Sequence, residues 1–382
     1  MTLAPRIAAR IHREGPIPFD AYVDAALYDP DGGFFASGHG AGRAGHDFVT
    51  SPEVGSLFGA LVARALDGWW RDLGEPDPFV VVEAGAGNGR LCRDVLRAEP
   101  GCAAALRYVL VERSEALRAE HAARLEPVVD LERAEDVLGP VLQTGDPDDP
   151  VVIEPGRGPM ACSLADLPAV GLRDAVLFSN ELLDNLPFRI VERGADEWLE
   201  VRVGADGDRL VEVLVPADAD LLADLPDCAV GARLPVVSGI RAWMATATSC
   251  IRRGVLAFVD YGAPSAELAT RAWLRTYAAH GRGSDPLADP GVHDITIDVP
   301  TDVVAMIAAR LGAKPFGDVT QREWLQALGV DALVADAAAA WDAGRARGDL
   351  AALQARSLVH EADALCDPAG LGAHRVLTFN RC

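Results

Sequence analysis

Lysine is almost missing from this 382-residue chain: Lys314 is the only one, and every other basic side chain is an arginine. No long or continuous basic patch is present, and the formal net charge is −22. Such a balance repels phosphate backbones, so nucleic acid is expected neither as substrate nor as partner, whereas a basic protein or peptide is electrostatically easier. Charge alone does not assign that partner, because acidic surfaces also serve solubility. Any run of about 18 uncharged apolar residues is absent too, so no membrane span is expected. The segment Met1 to Ile11 carries arginines and lacks the apolar stretch and cleavage site of a secretory signal. It reads as a helix start, with a short organellar presequence as the alternative. The seven cysteines are odd in number and include no C-x-x-C pair. Neither a zinc site nor a disulfide framework follows, no metal is expected, and a reducing cytoplasm is the natural compartment.

What is present is length and apolar content. Half of the residues are hydrophobic, enough for a large core, and the length implies one main domain with a sizeable insertion or extension. Ile7 and Ile11, then Phe19, Tyr22, Val23, Ala26 and Leu27, recur at helical spacing, with Pro16 and Pro18 separating two helices. Residues 29–47 are rich in glycine and read as a mobile, lid-like loop; residues 53–73 return to helix. Phe79-Val80-Val81-Val82 suits a parallel strand buried on both faces. A glycine loop, a helix from about Gly89 to Ala98, a strand at Tyr108–Val111 and a helix spanning Glu115 to Leu125 follow. That order opens a doubly wound α/β fold. Further strands are expected at Val151–Ile153, Ala175–Phe178, Val255–Val259 and Val376–Phe379. Residues 187–216 alternate as antiparallel structure with a turn at Gly204–Gly207, a helix lies near 239–252, and the rest of the C-terminal part reads as largely helical. The expected organisation is an N-terminal helical extension over 1–75, a ligand-binding core over 76–186, an inserted β-rich region over 187–250, and the remainder of the core with a helical region over 251–382.

The strongest motif is Glu83-Ala84-Gly85-Ala86-Gly87-Asn88-Gly89. Glycines let a backbone turn sharply and approach a ligand that a Cβ would exclude, and the helix behind presents free N–H groups. Alone, such a loop is also what a plain strand–helix turn looks like. Glu112 ends the second strand 23 residues beyond Gly89, where a carboxylate can accept hydrogen bonds from ribose hydroxyls; its bland alternative is a solvated strand end. Both nicotinamide and S-adenosylmethionine enzymes use this pair. Here the position after Gly85 and Gly87 that a G-x-G-x-x-G motif fills with glycine is Arg90, and Glu83 sits poorly beside a pyrophosphate but can accept from an amine or a water. Both features favour S-adenosylmethionine. Asn180-Glu181-Leu182-Leu183-Asp184 ends the fourth strand on the edge where open α/β sheets bind ligands. Asn180, Glu181 and Asp184 are the candidate catalytic residues, able to hold and orient a guanidinium nitrogen. The competing reading is a helix capped by Ser179 or Asn180. Asp260-Tyr261-Gly262 ends the fifth strand on the same edge, and Ser51 with Pro52 can start a helix.

At these residues the chain resembles the MidA-like methyltransferases, which include the mitochondrial complex I assembly-factor arginine methyltransferase. The resemblance rests on Gly15-Pro16-Ile17, Ala26 to Pro30, Gly33-Phe34-Phe35, Asp47 to Glu53, Phe58-Gly59, Val82 to Gly89, Asn180 to Pro187, Asp260-Tyr261-Gly262, Asp285-Pro286-Leu287 and Asp294-Ile295-Thr296. It implies a seven-stranded Rossmann-like methyltransferase sheet with inserted and appended elements. It implies that Gly85, Gly87 and Glu112 bind S-adenosyl-L-methionine, beside Glu83 and Gly89 that the loop itself offers as cofactor-binding, that Asp166 lies near the adenine, and that Thr50, Ser51, Pro52 and Glu53 border the methionine end. The implied acceptor is a protein arginine, on a respiratory-complex or other cytoplasmic protein. Asp298 departs from the histidine that many relatives carry. Two rival functions stay open: a non-catalytic assembly factor on a methyltransferase scaffold, and a nicotinamide-dependent oxidoreductase.

Overall fold

The computed structural model of the chain describes residues 3–37, 50–126, 128–139, 156–278, 281–282, 285–344 and 350–382. The chain divides into two compact units. One comprises Val49–Asn180, Ala247–Val259 and Ala313–Cys382; the other comprises Met1–Phe48, Glu181–Thr246 and Asp260–Gly312.

The first unit is built on a seven-stranded sheet. Its strands are β1 (Phe79–Ala84), β2 (Leu106–Val111), β3 (Met160–Leu164), β4 (Leu172–Asn180), β5 (Ile251–Asp260), β6 (Ala313–Thr320) and β7 (Arg375–Arg381). The order across the sheet is β6-β7-β5-β4-β1-β2-β3. The pairs β1–β2, β2–β3, β1–β4 and β4–β5 are parallel, and β6–β7 is antiparallel. Every residue of β1 and β2 is buried, Glu83 and Arg107 included, as strands covered on both faces must be. The helix Leu57–Asp72 adds Leu57, Phe58, Leu61, Val62, Leu66 and Trp69 to the same core, and the helix Arg90–Arg97 adds Leu91 and Val95. The chain runs outward from β1 through β2 to β3, then returns to lay β4 on the other side of β1. The carboxyl ends of β1 and β4 therefore flank the topological switch point, where doubly wound sheets bind ligands.

The seven-stranded Rossmann-like sheet expected from the sequence is the one observed. The strand beside β2 is Met160–Leu164, which the sequence pattern did not reveal because Met-Ala-Cys-Ser-Leu contains no β-branched or aromatic residue. The expected strand at Val151–Ile153 lies outside the described residues. The C-terminal part is less helical than expected: β6 hides behind Pro315 and Gly317, where the pairing with β7 slips register. Proline is tolerated there because β6 is an edge strand. The expected helix over 53–73 is split into Ser51–Val54 and Leu57–Asp72, and the one from Glu115 to Leu125 into Glu115–Arg118 and His121–Leu125.

The other unit contains the helices Leu3–Glu14 and Phe19–Tyr28 and an antiparallel sheet. In that sheet Trp198–Asp206 pairs with Ile17–Pro18, Arg189–Arg193 and Arg209–Pro216, and Arg189–Arg193 also pairs with Arg233–Val236. Asp206 faces Arg209 across a tight hairpin in which Gly207 takes the left-handed conformation at φ 59°. A small sheet of Leu274–Ala278, Gly281–Arg282 and Asp294–Ile297 lies in the same unit. No described helix of the chain is long and apolar enough to cross a membrane.

Candidate active site

Register lines up the carboxyl ends of the first unit's strands. Ala84 pairs with Val111 on one side and Ser179 on the other, Val111 pairs with Leu164, and Asn180 pairs with Val259. Gly85, Glu112, the 165–166 turn and Asn180 thus leave the sheet along one edge. Gly85, Gly87 and Gly89 all have positive φ, at 73°, 55° and 82°. This is the left-handed region, which costs an L-residue about 1–2 kcal/mol. The amides of Gly85 and Ala86 both donate to the carbonyl of Val111, at 2.9 and 3.0 Å, which folds the loop over the end of β2. The Gly87 amide donates to Glu112 Oε2 at 2.9 Å, and the Ser114 amide donates to Glu112 Oε1 at 2.8 Å. Each carboxylate oxygen keeps acceptor capacity beyond that bond, so Glu112 can still take a ribose diol. Its partial burial raises its pKa, opposed by the Ser114 and Gly87 amides.

Glu83 is placed differently from a surface acid. It is 4% exposed within β1 and accepts the Tyr108 hydroxyl at 2.8 Å. Burial pushes its pKa up to about 8, against the opposing bonds from Tyr108 and the Cys92 amide. Asp166 is exposed just beyond β3. Thr50 is the N-cap of Ser51–Val54, in a capping box with Glu53, and Pro52 occupies the first turn. The cap is one residue earlier than the sequence pattern suggested: Ser51 is inside the helix, buried, with its hydroxyl donating to Gln321 Oε1 at 2.9 Å. Arg90, which opens the helix behind the glycine loop, is near enough to Glu53 to oppose the rise that burial gives its pKa. The Asp47 to Val49 part of the motif lies outside the described residues.

Asn180 is the last residue of β4, and the chain enters the other unit at Glu181. The capped-helix reading of this segment fails, because β4 continues through Ser179 and Asn180 and only a short 3-10 turn, Leu183–Asn185, follows. Glu181 itself has φ 52° and is half-buried, with its carboxylate accepting the Tyr261 hydroxyl at 3.0 Å. Asp260 organises the turn: its buried Oδ2 accepts the amides of Leu182, Leu183 and Asp184 at 3.2, 2.8 and 3.4 Å, and Oδ1 accepts that of Tyr261 at 2.9 Å. Asp184 is 3% exposed and accepts the Thr296 hydroxyl at 2.7 Å. Burial raises it to about 6, and burial with the Asp184 charge raises Asp294 to about 7. Asn185 donates to Asp294 Oδ1 at 2.8 Å. Within this unit the structure therefore gathers Glu181 and Asp184 with Asp260, Tyr261, Asp294 and Thr296. All four of those partners were read from the sequence only as strand-end or family motifs, and no local pattern marked Thr296 as a partner of Asp184. Asp298 is buried and ion-paired to Arg271 at 2.7 Å and Arg275 at 2.6 Å. The Arg275 guanidinium lies 5.7 Å from the centroid of the Tyr261 ring.

A family profile described as S-adenosyl-L-methionine-dependent methyltransferase matches residues 61–319. The mitochondrial protein arginine methyltransferase NDUFAF7 homolog of Drosophila melanogaster is 27% identical over 342 residues, covering 81% of this chain and 71% of that protein. The mitochondrial protein arginine methyltransferase NDUFAF7 of Homo sapiens is 27% identical over 333 residues, covering 84% of this chain and 72% of that protein. A solved structure from Burkholderia thailandensis, bound to S-adenosyl-homocysteine, superposes with a TM-score of 0.78 at 27% identity, covering 99% of this chain and 92% of the other.

Proposed function

The chain belongs to this family of S-adenosyl-L-methionine-dependent methyltransferases, and from that premise we propose that it methylates a protein side chain, an arginine ω-nitrogen. S-adenosylmethionine, when bound, supplies an electrophilic methyl group on a sulfonium sulfur. We assign Gly85, Gly87, Gly89 and Glu112 to holding it, with Glu83 beneath the loop, Asp166 on the adenine side and Thr50, Ser51, Pro52 and Glu53 on the methionine side. Asn180, Glu181 and Asp184 are assigned to the acceptor.

The observation that carries the acceptor assignment is the conformation of Glu181. A non-glycine residue at φ 52° costs energy, and such strain persists where surrounding structure over-determines it, commonly at functional sites. Here the Asp260 carboxylate holds the following amides and Tyr261 holds the Glu181 carboxylate. A guanidinium is protonated at neutral pH and offers N–H groups in a planar fork that suits carboxylates. Methylation of one nitrogen releases one proton. Glu181 and Asp184 would orient that nitrogen and receive its proton, with most of the acceleration coming from alignment and electrostatic positioning. The names of the Drosophila melanogaster and Homo sapiens relatives support the same acceptor.

The test uses methyl-labelled S-adenosylmethionine and lysate protein, followed by acid hydrolysis. Label is expected in methylated arginine. Glu181→Gln combined with Asp184→Asn is expected to abolish transfer while S-adenosylhomocysteine affinity stays within about twofold. Label in another residue type would overturn the acceptor; cofactor binding without any labelled protein would turn the reading to the non-catalytic assembly factor.

A further inference from the structure

His121 belongs to no motif in the sequence, yet it is completely buried beside the glycine loop. Its Nε2 lies 2.8 Å from the carbonyl oxygen of Gly87, and its Nδ1 lies 2.8 Å from Ser163 Oγ. A carbonyl can only accept, so Nε2 carries the proton and donates to Gly87. In the neutral ring Nδ1 is then the acceptor, and the Ser163 hydroxyl donates to it. Burial lowers the His121 pKa and favours that neutral ring. Ser163 stands on β3 opposite Leu110 of β2, so the imidazole ties the loop after β1 to the third strand of the sheet.

The amide on the other side of Gly87 donates to Glu112 Oε2 at 2.9 Å. Both polar groups of this one residue are therefore fixed, the N–H by the strand-end acid and the C=O by the imidazole. Gly89 closes the arrangement: a Cβ there would lie 3.3 Å from His121 Cδ2 and 3.2 Å from Leu110 Cδ2. The ring fills the space that a side chain at 89 would need.

We propose that His121 is a positioning residue of the cofactor site, holding the Gly87 peptide so that the loop and Glu112 present a preformed surface to S-adenosylmethionine. It touches the loop and not the transferring methyl group. Losing the bond to Gly87 lets that peptide rotate, and the order must be restored when the cofactor binds. Preorganisation of this kind appears as affinity, and one buried hydrogen bond corresponds to about tenfold.

Two amide replacements separate positioning from mere packing. A glutamine at 121 can reach with its amide nitrogen toward the place of Nε2, whereas an asparagine reaches only the place of Nδ1. Isothermal titration of the full-length protein with S-adenosylhomocysteine is expected to show about tenfold weaker binding for His121→Asn and most of the wild-type affinity for His121→Gln. Thermal unfolding without ligand should lower both variants alike. Equal affinity loss in the two variants, or wild-type affinity in His121→Asn, overturns the proposal. If the buried replacements fail to fold, Ser163→Ala carries the test. Without the hydroxyl the ring loses its orientation, so affinity should fall severalfold, and unchanged affinity there also counts against the role.

Discussion

Glu83 sets burial against charge at a single residue. Its carboxyl lies inside β1, bonded to the Tyr108 hydroxyl, and its pKa rises to about 8. In the unfolded chain a glutamate titrates near about 4.3. Between those values the folded state binds the proton and the unfolded state does not. Stability contributed by the protonated form is thus present at low pH and is lost as pH rises through that window, at up to about 1.4 kcal/mol per pH unit. Asp184 and Asp294, raised to about 6 and 7, add declines of the same sign. The Glu83→Gln variant should remove only its own share. Thermal unfolding of ligand-free protein from pH 5 to 9 should therefore show a shallower decline for Glu83→Gln than for wild type, and parallel curves would refute the buried ionisation. At the same scale, Gly89→Ala should cost more stability than Gly87→Ala in denaturant unfolding. Both force about 1–2 kcal/mol of left-handed strain, but only position 89 also meets Leu110 and His121, whereas the space at 87 is open. The glycines and Glu112 were legible because spacing after a buried strand carries their meaning. His121 was not, because it is 34 residues from Gly87 and 42 from Ser163, and only the sheet's register brings the three together.

Elements were legible in proportion to how uniformly their sequence was apolar. Phe79–Ala84 and Leu106–Val111 are buried throughout, and within them Phe79 to Val82 and Tyr108 to Val111 run as unbroken apolar stretches that announce the strands. Met160–Leu164 is the edge strand beside Leu106–Val111, half-buried at its end, with a composition that states no preference. β6 is the opposite case: mostly exposed, broken by Pro315 and Gly317, and paired only with β7. Its strand character comes from its neighbour. The helix after it, Gln321–Ala327, depends on a local device instead. The Thr320 side chain accepts the Glu323 amide at 3.2 Å, and Glu323 Oε2 accepts the Thr320 amide at 2.8 Å. Thr320→Ala should destabilise the protein by about 1 kcal/mol, read from the shift of the urea midpoint at constant slope. A shift no larger than that of an exposed surface alanine would mean that packing of Leu325 in the core, and not the cap, sets the helix start.

For the whole molecule the dominant quantity is the formal charge of −22, carried with a single lysine. A net charge of that size creates a long-range potential that concentrates cations and slows anions, and salt screens it over about 10 Å at 0.1 M. An arginine-bearing acceptor is drawn toward such a protein before any specific contact forms. S-adenosylhomocysteine, with one ammonium and one carboxylate, has no net charge and gains nothing from the field. Raising sodium chloride from about 50 to 300 mM should thus raise KM for a basic, arginine-rich peptide severalfold while the S-adenosylhomocysteine affinity stays within about twofold. The pairing of the two measurements separates attraction from general salt effects on the fold, since a loosened fold would weaken both ligands together. A KM indifferent to salt would leave the acidic surface with solubility as its whole role, and recognition of the acceptor would then rest on short-range contacts around Glu181 and Asp184.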